Sequence, residues 1–390
     1  MVRRSICLLN SALKGHVPFF NMKKRLGVIF GGRSGEHEVA IRSARTVIEE
    51  ADPEKYEIIP LAITKEGKWL SPAASLSLFS DETTALFHAR YGQPSDSSLV
   101  LTAETGSGLV GNNISQAIDV VFPVLHGTFG EDGTIQGAFE MPGVPYVGCG
   151  VLASACGMDK VVMKTLFRDA GLPICNYVWF LRSEWEQNAD AVIRQISGKL
   201  GFPCFVKPAN LGSSVGVSRA SDEDSLKAAI SLAAEYDRKI IVEEGLEMRE
   251  IECAVIGNDE PQASLPGEYI IRDETKAFLD YTEKYAGTGN NEFIVPAMLS
   301  NELAGKIRQM AVSAFRSIDA SGLARVDFFL RNDTGALLVN EINTMPGLTD
   351  ASGFPKMWNG TGKPFSAVID ELVDLAISRH IDLARNKTSI

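Results

Sequence analysis

The chain has 390 residues, of which 45% are hydrophobic and 22% charged, a composition typical of a globular protein with two or three domains. Its formal net charge of -11 argues against a nucleic-acid partner, because phosphate backbones are bound by clustered Lys and Arg. No apolar run approaches the roughly 18 residues that a transmembrane helix needs, so no membrane contact is predicted. The 6 cysteines form no Cys-x-x-Cys pair and the 5 histidines are scattered, which predicts reduced thiols in a cytoplasmic protein without a His-rich zinc site.

Residues 1–24 are basic, contain no acidic side chain and lack the apolar core of a secretory signal. We interpret this segment as a disordered extension, with Met22 as the true start of the protein. A transit peptide is the alternative that the composition leaves open.

The first predicted elements are a strand over residues 26–30, a helix over 38–50 and a strand over 57–63. Residues 71–116 are Ser-rich and predicted to be irregular, and a buried strand follows over 118–125. Strands that alternate with helices indicate a parallel α/β sheet, in which ligands bind beyond the carboxyl ends of the strands. We therefore predict an N-terminal α/β domain over residues 25–145.

Gly and Pro cluster at residues 142–150, where a domain boundary is predicted. Beyond it we expect helices over 158–170, 190–200, 222–236, 301–318 and 365–378, and strands near 177, 202–207, 239–243, 251, 269 and 324. We assign residues 146–240 to a central domain and residues 241–390 to a C-terminal domain. The polar, Gly-rich stretch 280–291 is predicted to be a lid loop.

A Gly/Ser loop over residues 208–216 follows the strand that ends in Lys207. Small residues let backbone N–H groups approach an anion, and the lysine adds a positive charge for phosphate. No Lys-Ser/Thr pair closes the loop as in a Walker motif, and a loop without a ligand is equally compatible with the pattern.

A hairpin over residues 323–343 carries Asp327, Glu341 and Asn343. Its length places Asp327 opposite Glu341, and strand alternation puts Arg325 on the same face as Asp327. Oxygen ligands that converge in this way favour Mg²⁺, which takes one or two carboxylates together with substrate phosphates. The alternative is an ion-pair network between these carboxylates and Arg325.

The loop over residues 31–37 opens a helix but does not fit the Gly-x-Gly-x-x-Gly pattern. Glu36 in this loop would repel pyrophosphate and attract an amine, or it would only complement the helix dipole. His126 lies at the end of a predicted strand, where a binding role and a structural role are equally compatible with the sequence.

Eight segments, taken together and in order, resemble D-alanine–D-alanine ligases. They are residues 31–39 (GGRSGEHEV), 125–133 (LHGTFGEDG), 157–160 (GMDK), 207–217 (KPANLGSSVGV), 249–255 (REIECAV), 280–285 (DYTEKY), 324–329 (ARVDFF) and 340–347 (NEINTMPG). The resemblance extends from about residue 25 to residue 380. It implies a three-domain ATP-grasp fold with a Rossmann-like N-terminal domain, and ATP bound between the central and C-terminal domains.

By this resemblance the nucleotide is contacted by Lys160, Lys207, Glu243, Leu246, Glu250 and Lys284, with Lys160 and Lys207 on its phosphates. Two Mg²⁺ or Mn²⁺ ions would be held by Asp327, Glu341 and Asn343. The family also implies a homodimer.

The resemblance also implies how the first D-alanine is bound. Glu36 would take its ammonium group and His126 would lie close to its carboxylate. Ser213 and Tyr285 would connect this site to the lid.

The second D-alanine would bind through its carboxylate to Ser352, while Arg325 and the backbone of Gly347 would stabilise the oxyanion. Asp350 and Gly353 depart from the family pattern at this place. An added negative charge and lost bulk there leave the preference for the second substrate open.

The implied reaction joins two D-alanines through an acyl phosphate, releases ADP and phosphate, and serves peptidoglycan precursor synthesis. Lys284-Tyr285 in the lid favours a dipeptide over the D-lactate depsipeptide. The alternatives are a ligase that takes D-serine or D-lactate second, an NAD-dependent dehydrogenase and a non-catalytic nucleotide-binding module.

Overall fold

The protein is described by a computed structural model that covers residues 23–94, 99–101, 109–111, 118–212, 215–271 and 291–387. The predictions for residues 1–22, for Ser213, Lys284 and Tyr285, and for the lid loop through residue 290 lie outside these ranges. Within the described ranges, no helix is both long and apolar enough to span a membrane.

The N-terminal part of the chain contains a three-stranded parallel sheet in the order β2-β1-β5. Its elements are β1 (Lys24–Gly31), α1 (His37–Glu50), β2 (Tyr56–Ile63), α2 (Pro72–Ser75), α3 (Asp81–Tyr91), β3 (Leu99–Leu101), β4 (Leu109–Gly111), β5 (Val120–Val124) and α4 (Thr134–Glu140). The predicted parallel sheet is confirmed, and β3 and β4 form a separate antiparallel hairpin.

The prediction that residues 71–116 are irregular is wrong where α2 and α3 form. Two of the serines that suggested a loop are helix N-caps. Ser71 accepts a hydrogen bond from the backbone of Ala74, and Ser80 accepts one from the backbone of Thr83. Ser is favoured at this position because its side chain satisfies an N–H group that the first helical turn leaves free.

The second part of the chain forms a four-stranded antiparallel sheet in the order β6-β9-β7-β8. Its elements are α5 (Val151–Met158), α6 (Lys160–Asp169), β6 (Tyr177–Leu181), α7 (Arg182–Gln187), α8 (Ala189–Lys199), β7 (Cys204–Pro208), β8 (Ser218–Ala220), α9 (Glu223–Tyr236) and β9 (Lys239–Glu244). Apolar residues of α8 and α9 cover this sheet. Because β9 continues to Glu244, we propose that the domain boundary lies after that residue, not at residue 240.

The helix predicted over residues 158–170 is interrupted at Asp159. The Asp159 carboxylate accepts hydrogen bonds from the backbones of Val161 and Val162, at 3.0 and 3.1 Å, and so begins a new helix, α6. This cap directs Lys160, the first residue of α6, towards the Gly/Ser loop. The backbone N–H of Lys160 donates a hydrogen bond to the carbonyl oxygen of Ala209, in that loop.

The third sheet is antiparallel in the order β13-β12-β10-β14-β15, with β11 paired to β10. Its elements are β10 (Met248–Gly257), β11 (Gln262–Ala263), β12 (Gly267–Ile271), β13 (Asn291–Ile294), α10 (Asn301–Ser317), β14 (Gly322–Arg331), β15 (Leu337–Asn343), α11 (Gly353–Gly360) and α12 (Phe365–Leu383). Apolar residues of α6 and α10 pack against this sheet and form one hydrophobic core with it. Apolar residues of α11 and α12 belong to a different core, which includes the N-terminal sheet. The two C-terminal helices therefore connect the N-terminal sheet to the third sheet.

Candidate active site

Most of the predicted site residues line one cleft, which holds about 1550 Å³ of space and opens to solvent. The predicted residues found there are Glu36, His126, Lys160, Lys207, Glu243, Leu246, Glu250, Arg325, Asp327, Glu341, Asn343 and Gly347. Ser352 is not among the lining residues.

The wall expected to bind nucleotide carries two pairs of oppositely charged side chains. Lys207 Nζ lies 2.6 Å from Glu243 Oε2, and Lys160 Nζ lies 3.9 Å from Glu341 Oε2. Lys160 also donates to the carbonyl oxygen of Leu211 in the Gly/Ser loop, at 2.6 Å. Both ammonium groups therefore line the cleft beside that loop, where they could bind phosphate.

The hairpin of β14 and β15 has the predicted register, with Asp327 opposite Glu341 and Arg325 opposite Asn343. Alternation buries Ala324, Val326 and Phe328 and turns Arg325 and Asp327 towards the cleft. The guanidinium of Arg325 makes two hydrogen bonds of 2.6 Å to the Asp327 carboxylate. Of the alternative interpretation, an ion-pair network of Arg325, Asp327 and Glu341, the structure thus shows the pair between Arg325 and Asp327, while Glu341 lies near Lys160.

The donor set here is small. Among the described residues, no group of three or more His, Cys, Asp and Glu side chains is placed to hold a metal ion. Two carboxylates and one amide are the donors that Mg²⁺ uses when substrate phosphates and water supply the other ligands. Asp327, Glu341 and Asn343 fit that chemistry, and they do not fit a zinc site.

Glu36 lies at the N-terminal end of α1, with only 8% of its surface exposed. Burial raises its pKa to about 7, although Arg325 and Lys160 act in the opposite direction. Ionising a buried carboxyl group costs free energy, and a cationic ligand beside it offsets that cost. The structure therefore favours the predicted ammonium site over a role limited to the helix dipole.

Gly127 limits the space beside this carboxylate. Its φ of +72° lies in the left-handed region, and a Cβ atom there would stand 2.7 Å from Glu36 Oε2. Gly31, at φ +87°, has the same requirement, because its Cβ would stand 2.3 Å from the carbonyl oxygen of Ile63. Glycine at both positions lets the two loops meet around Glu36.

His126 is buried and both of its ring nitrogens have partners within the protein. Nδ1 lies 2.9 Å from the carbonyl oxygen of Met345, and Nε2 lies 2.9 Å from Ser43 Oγ. The carbonyl can only accept, so Nδ1 carries the proton and Nε2 accepts from the Ser43 hydroxyl. Burial lowers the His126 pKa to about 4, so the ring is neutral near pH 7. His126 thus connects α1 to the loop after β15, and a contact with substrate stays a prediction.

Ser352 is buried at the start of α11, and its hydroxyl lies 2.7 Å from the hydroxyl of Thr349. The loss of bulk at Gly353 has a local cause. A Cβ atom at Gly353 would stand 2.4 Å from Glu252 Oε2 and 2.9 Å from the ring of Phe293. The Glu252 carboxylate and the Phe293 ring therefore fill the space that a larger side chain at position 353 would occupy.

Three charged residues of the site were not predicted. Glu131 is buried and accepts a hydrogen bond of 2.9 Å from the backbone of Gly127. Glu252 is 3.4 Å from Arg325, and Lys164 is 2.9 Å from Glu243. The available signal was a charged side chain in an otherwise apolar stretch: Lys164 follows Val-Val-Met, and Glu252 lies between Ile251 and Cys253.

The three sheets and the cleft lined by lysines and a carboxylate pair are those of an ATP-grasp enzyme. Residues 25–149 match the family described as D-ala D-ala ligase N-terminus, and residues 166–374 match D-ala D-ala ligase C-terminus. The chain belongs to the D-alanine–D-alanine ligase family.

Relatives and solved structures agree with this assignment. The D-alanine–D-alanine ligase of Ruminiclostridium cellulolyticum is 46% identical over 374 residues, 94% of this chain and 99% of that protein. That of Bacillus licheniformis is 48% identical over 365 residues, 92% of this chain and 97% of that protein. The ligase structure from Coxiella burnetii has a TM-score of 0.76 at 33% identity, covering 93% and 98% of the two chains. The D-Ala:D-Ser ligase VanG from Enterococcus faecalis has a TM-score of 0.77 at 36% identity, covering 91% and 99%.

Proposed function

We propose that this protein joins two D-alanine molecules with ATP, giving D-alanyl-D-alanine, ADP and phosphate for peptidoglycan precursor synthesis. One observation carries the proposal. A buried carboxylate at Glu36, a guanidinium at Arg325 and the ammonium groups of Lys160 and Lys207 line a single cleft. These groups match, in turn, an amino acid's ammonium, a developing oxyanion and the phosphates of a nucleotide.

In the first step, a carboxylate oxygen of the first D-alanine attacks the γ-phosphorus of ATP, and ADP leaves. Glu36 binds the ammonium of this D-alanine and so fixes where its carboxylate lies. Lys160 and Lys207 offset the charge that spreads over the transferred phosphoryl group. The product is an acyl phosphate, whose hydrolysis the lid over residues 280–291 is proposed to prevent.

In the second step, the amine of the second D-alanine attacks the carbonyl carbon of the acyl phosphate. The C–O bond to phosphate then breaks, and inorganic phosphate leaves with the oxygen that attacked ATP. Arg325 is proposed to stabilise the tetrahedral oxyanion, assisted by the backbone N–H of Gly347. Ser352 is proposed to bind the carboxylate of the second D-alanine after its hydroxyl turns from Thr349.

Asp327, Glu341 and Asn343 would hold Mg²⁺ or Mn²⁺, and two ions per site are proposed from the family. A divalent cation held there would supply positive charge that offsets the charge of the nucleotide phosphates. Asp327 would serve as a ligand with the same carboxylate that pairs with the Arg325 guanidinium, and that guanidinium is proposed to act on the oxyanion.

The remaining nucleotide contacts are proposed at Glu243, Leu246 and Glu250, and at Lys284 in the lid. We further propose that the enzyme acts in the cytoplasm as a homodimer. Ser213 and Tyr285 are proposed to link the first D-alanine to the lid.

The test is ADP release by the purified protein with Mg-ATP alone, and then with D-alanine, L-alanine, or D-alanine mixed with D-serine or D-lactate. We expect turnover with D-alanine and a dipeptide identified by mass even in the mixtures. A D-alanyl-D-serine or depsipeptide product would keep the mechanism and overturn the second-substrate assignment. Folded protein that binds ATP and shows no turnover with D-alanine would contradict the proposal.

A further inference from the structure

Lys164 is a buried ammonium group to which the proposed reaction gives no role. It lies on α6, one turn after Lys160, with a side chain that is 1% exposed. Its Nζ lies 2.9 Å from Glu243 Oε1, and it donates to the carbonyl oxygen of Asn340 at 3.1 Å and to Cys175 Sγ at 3.5 Å. The ammonium group thus has two hydrogen-bond acceptors and one ion-pair partner within the protein.

Glu243 is shared between two lysines, because its other oxygen, Oε2, lies 2.6 Å from Lys207. Burial alone would raise the Glu243 pKa, but Lys164 and Lys207 outweigh it and hold this pKa far below its usual value. The carboxylate is therefore ionised, and the group of three side chains carries one net positive charge. Without Lys164, the charges of Glu243 and Lys207 would cancel.

The two lysines differ in their freedom to move. Lys207 lies at the cleft wall with a side chain that is 14% exposed, so its ammonium can turn towards a ligand. Lys164 is held from a second side by the Asn340 carbonyl. Asn340 stands opposite no residue of β14, because a bulge shifts the register between Asp327 and Phe328. Such a bulge reorients the backbone of the strand that carries it.

We propose that Lys164 is a positioning residue for the nucleotide: it neutralises Glu243 permanently, which leaves the Lys207 ammonium available to the phosphates. The inference rests on the proposed function, since it requires that a nucleotide occupies this cleft. Lys164 touches neither substrate nor reacting atoms in this account. It acts through Glu243, which would otherwise retain Lys207.

A purely structural Lys164, which only ties α6 to β15, makes different predictions. Its loss would lower stability and total activity without a preference for one substrate. The proposed role predicts a selective loss of affinity for Mg-ATP, and it predicts that this loss depends on the charge of Glu243. A double-mutant cycle separates the two, because residues that act through one another are not additive.

The experiment measures the Kd for Mg-ATP by calorimetry for wild type, Lys164→Met, Glu243→Gln and the double variant. We expect Lys164→Met to weaken binding roughly ten- to hundredfold, because an unscreened carboxylate then competes with phosphate for Lys207. In the Glu243→Gln background the same change should weaken binding by only about threefold or less. The KM for D-alanine at saturating ATP should stay within about twofold of wild type in Lys164→Met.

Lys363→Met is the matched control, since it removes a partly buried lysine that pairs with Glu371 and does not line the cleft. It should leave the Kd for Mg-ATP unchanged. If wild type does not bind Mg-ATP, the proposed function itself fails. Equal weakening by Lys164→Met in both backgrounds, or no weakening at all, overturns the role of Lys164. If Lys164→Met alone does not fold, a Kd in the double variant more than about tenfold above that of Glu243→Gln overturns it equally.

Discussion

The ionisation of Glu36 is expected to control how tightly the first D-alanine binds between pH 6 and 8. Burial raises the Glu36 pKa from 4.5 to about 7, so the free protein holds this group half protonated near neutral pH. The rise corresponds to about 3 kcal/mol of lost charge stabilisation, at 1.36 kcal/mol per pKa unit. Binding an ammonium group requires the ionised form, so below about pH 7 D-alanine binding must displace the proton.

The assay is the KM for the first D-alanine at saturating ATP across this pH range. Because the carboxyl must lose its proton, affinity rises with pH and levels above the pKa, so the KM should be about tenfold higher at pH 6 than at pH 8. Glu36→Gln removes the charge, and its KM should be about a hundredfold higher and independent of pH in this window. Glu38→Gln, which changes an exposed carboxylate two residues away, is the control and should behave as wild type.

Ionisation of Glu36 should also make the stability of the unliganded protein depend on pH. This stability should fall as pH rises, whereas the affinity for D-alanine should increase. A raised carboxyl pKa adds stability below the unfolded value of 4.5, and this contribution is lost as pH rises through about 7. Saturating D-alanine should restore it. A wild-type KM that does not change between pH 6 and 8, or the same slope in Glu36→Gln, would show that Glu36 ionisation does not control D-alanine binding.

Four substitutions test the rest of the site. His126→Ala removes two buried hydrogen bonds and should lower the free energy of unfolding by about 2–3 kcal/mol, measured with urea; an unchanged midpoint would show that the bridge is dispensable. Gly127→Ala strains a φ of +72° and crowds the ammonium site, so the KM for the first D-alanine should rise about tenfold while the KM for ATP stays constant. Asp327→Asn should lower kcat by about a hundredfold and raise the Mg²⁺ concentration needed, and an unshifted Mg²⁺ titration would exclude it as a ligand. Gly353→Leu places a side chain against Glu252 and should raise the KM for the second D-alanine and lower stability by about 1–3 kcal/mol; normal values of both would show that the carboxylate moves aside freely.

The hairpin proposed to bind metal was predictable, because the pairing of its two strands follows from the number of residues between them. A short turn at residues 332–336 and strict alternation bring Asp327 opposite Glu341 and keep Arg325 on the same face. The convergence of Glu36 with this hairpin in one cleft could not be counted in the same way. It depends on the packing of three sheets, and only the resemblance to a family predicted it.

The unpredicted features arise from tertiary contacts. The bulge at Asn340 cannot be predicted from the sequence of β15, because the alternation of that strand does not change there. Nor does the sequence around Lys164 on α6 indicate which distant groups the buried ammonium pairs with. Likewise, Glu252 explains why residue 353 is glycine only once the fold shows that a Cβ atom at position 353 would stand 2.4 Å from its carboxylate. Local patterns predict strands, caps and registers, whereas the pairing of buried charges is set by residues distant in sequence.

The fate of one oxygen atom tests the proposed chemistry most directly. D-Alanine labelled with ¹⁸O in its carboxylate is given to the enzyme with unlabelled Mg-ATP, and the released phosphate is analysed by mass. An acyl phosphate requires the attacking oxygen to leave with phosphate, so each inorganic phosphate should carry one ¹⁸O atom. Phosphate free of label, with dipeptide formed at the usual rate, would contradict the account.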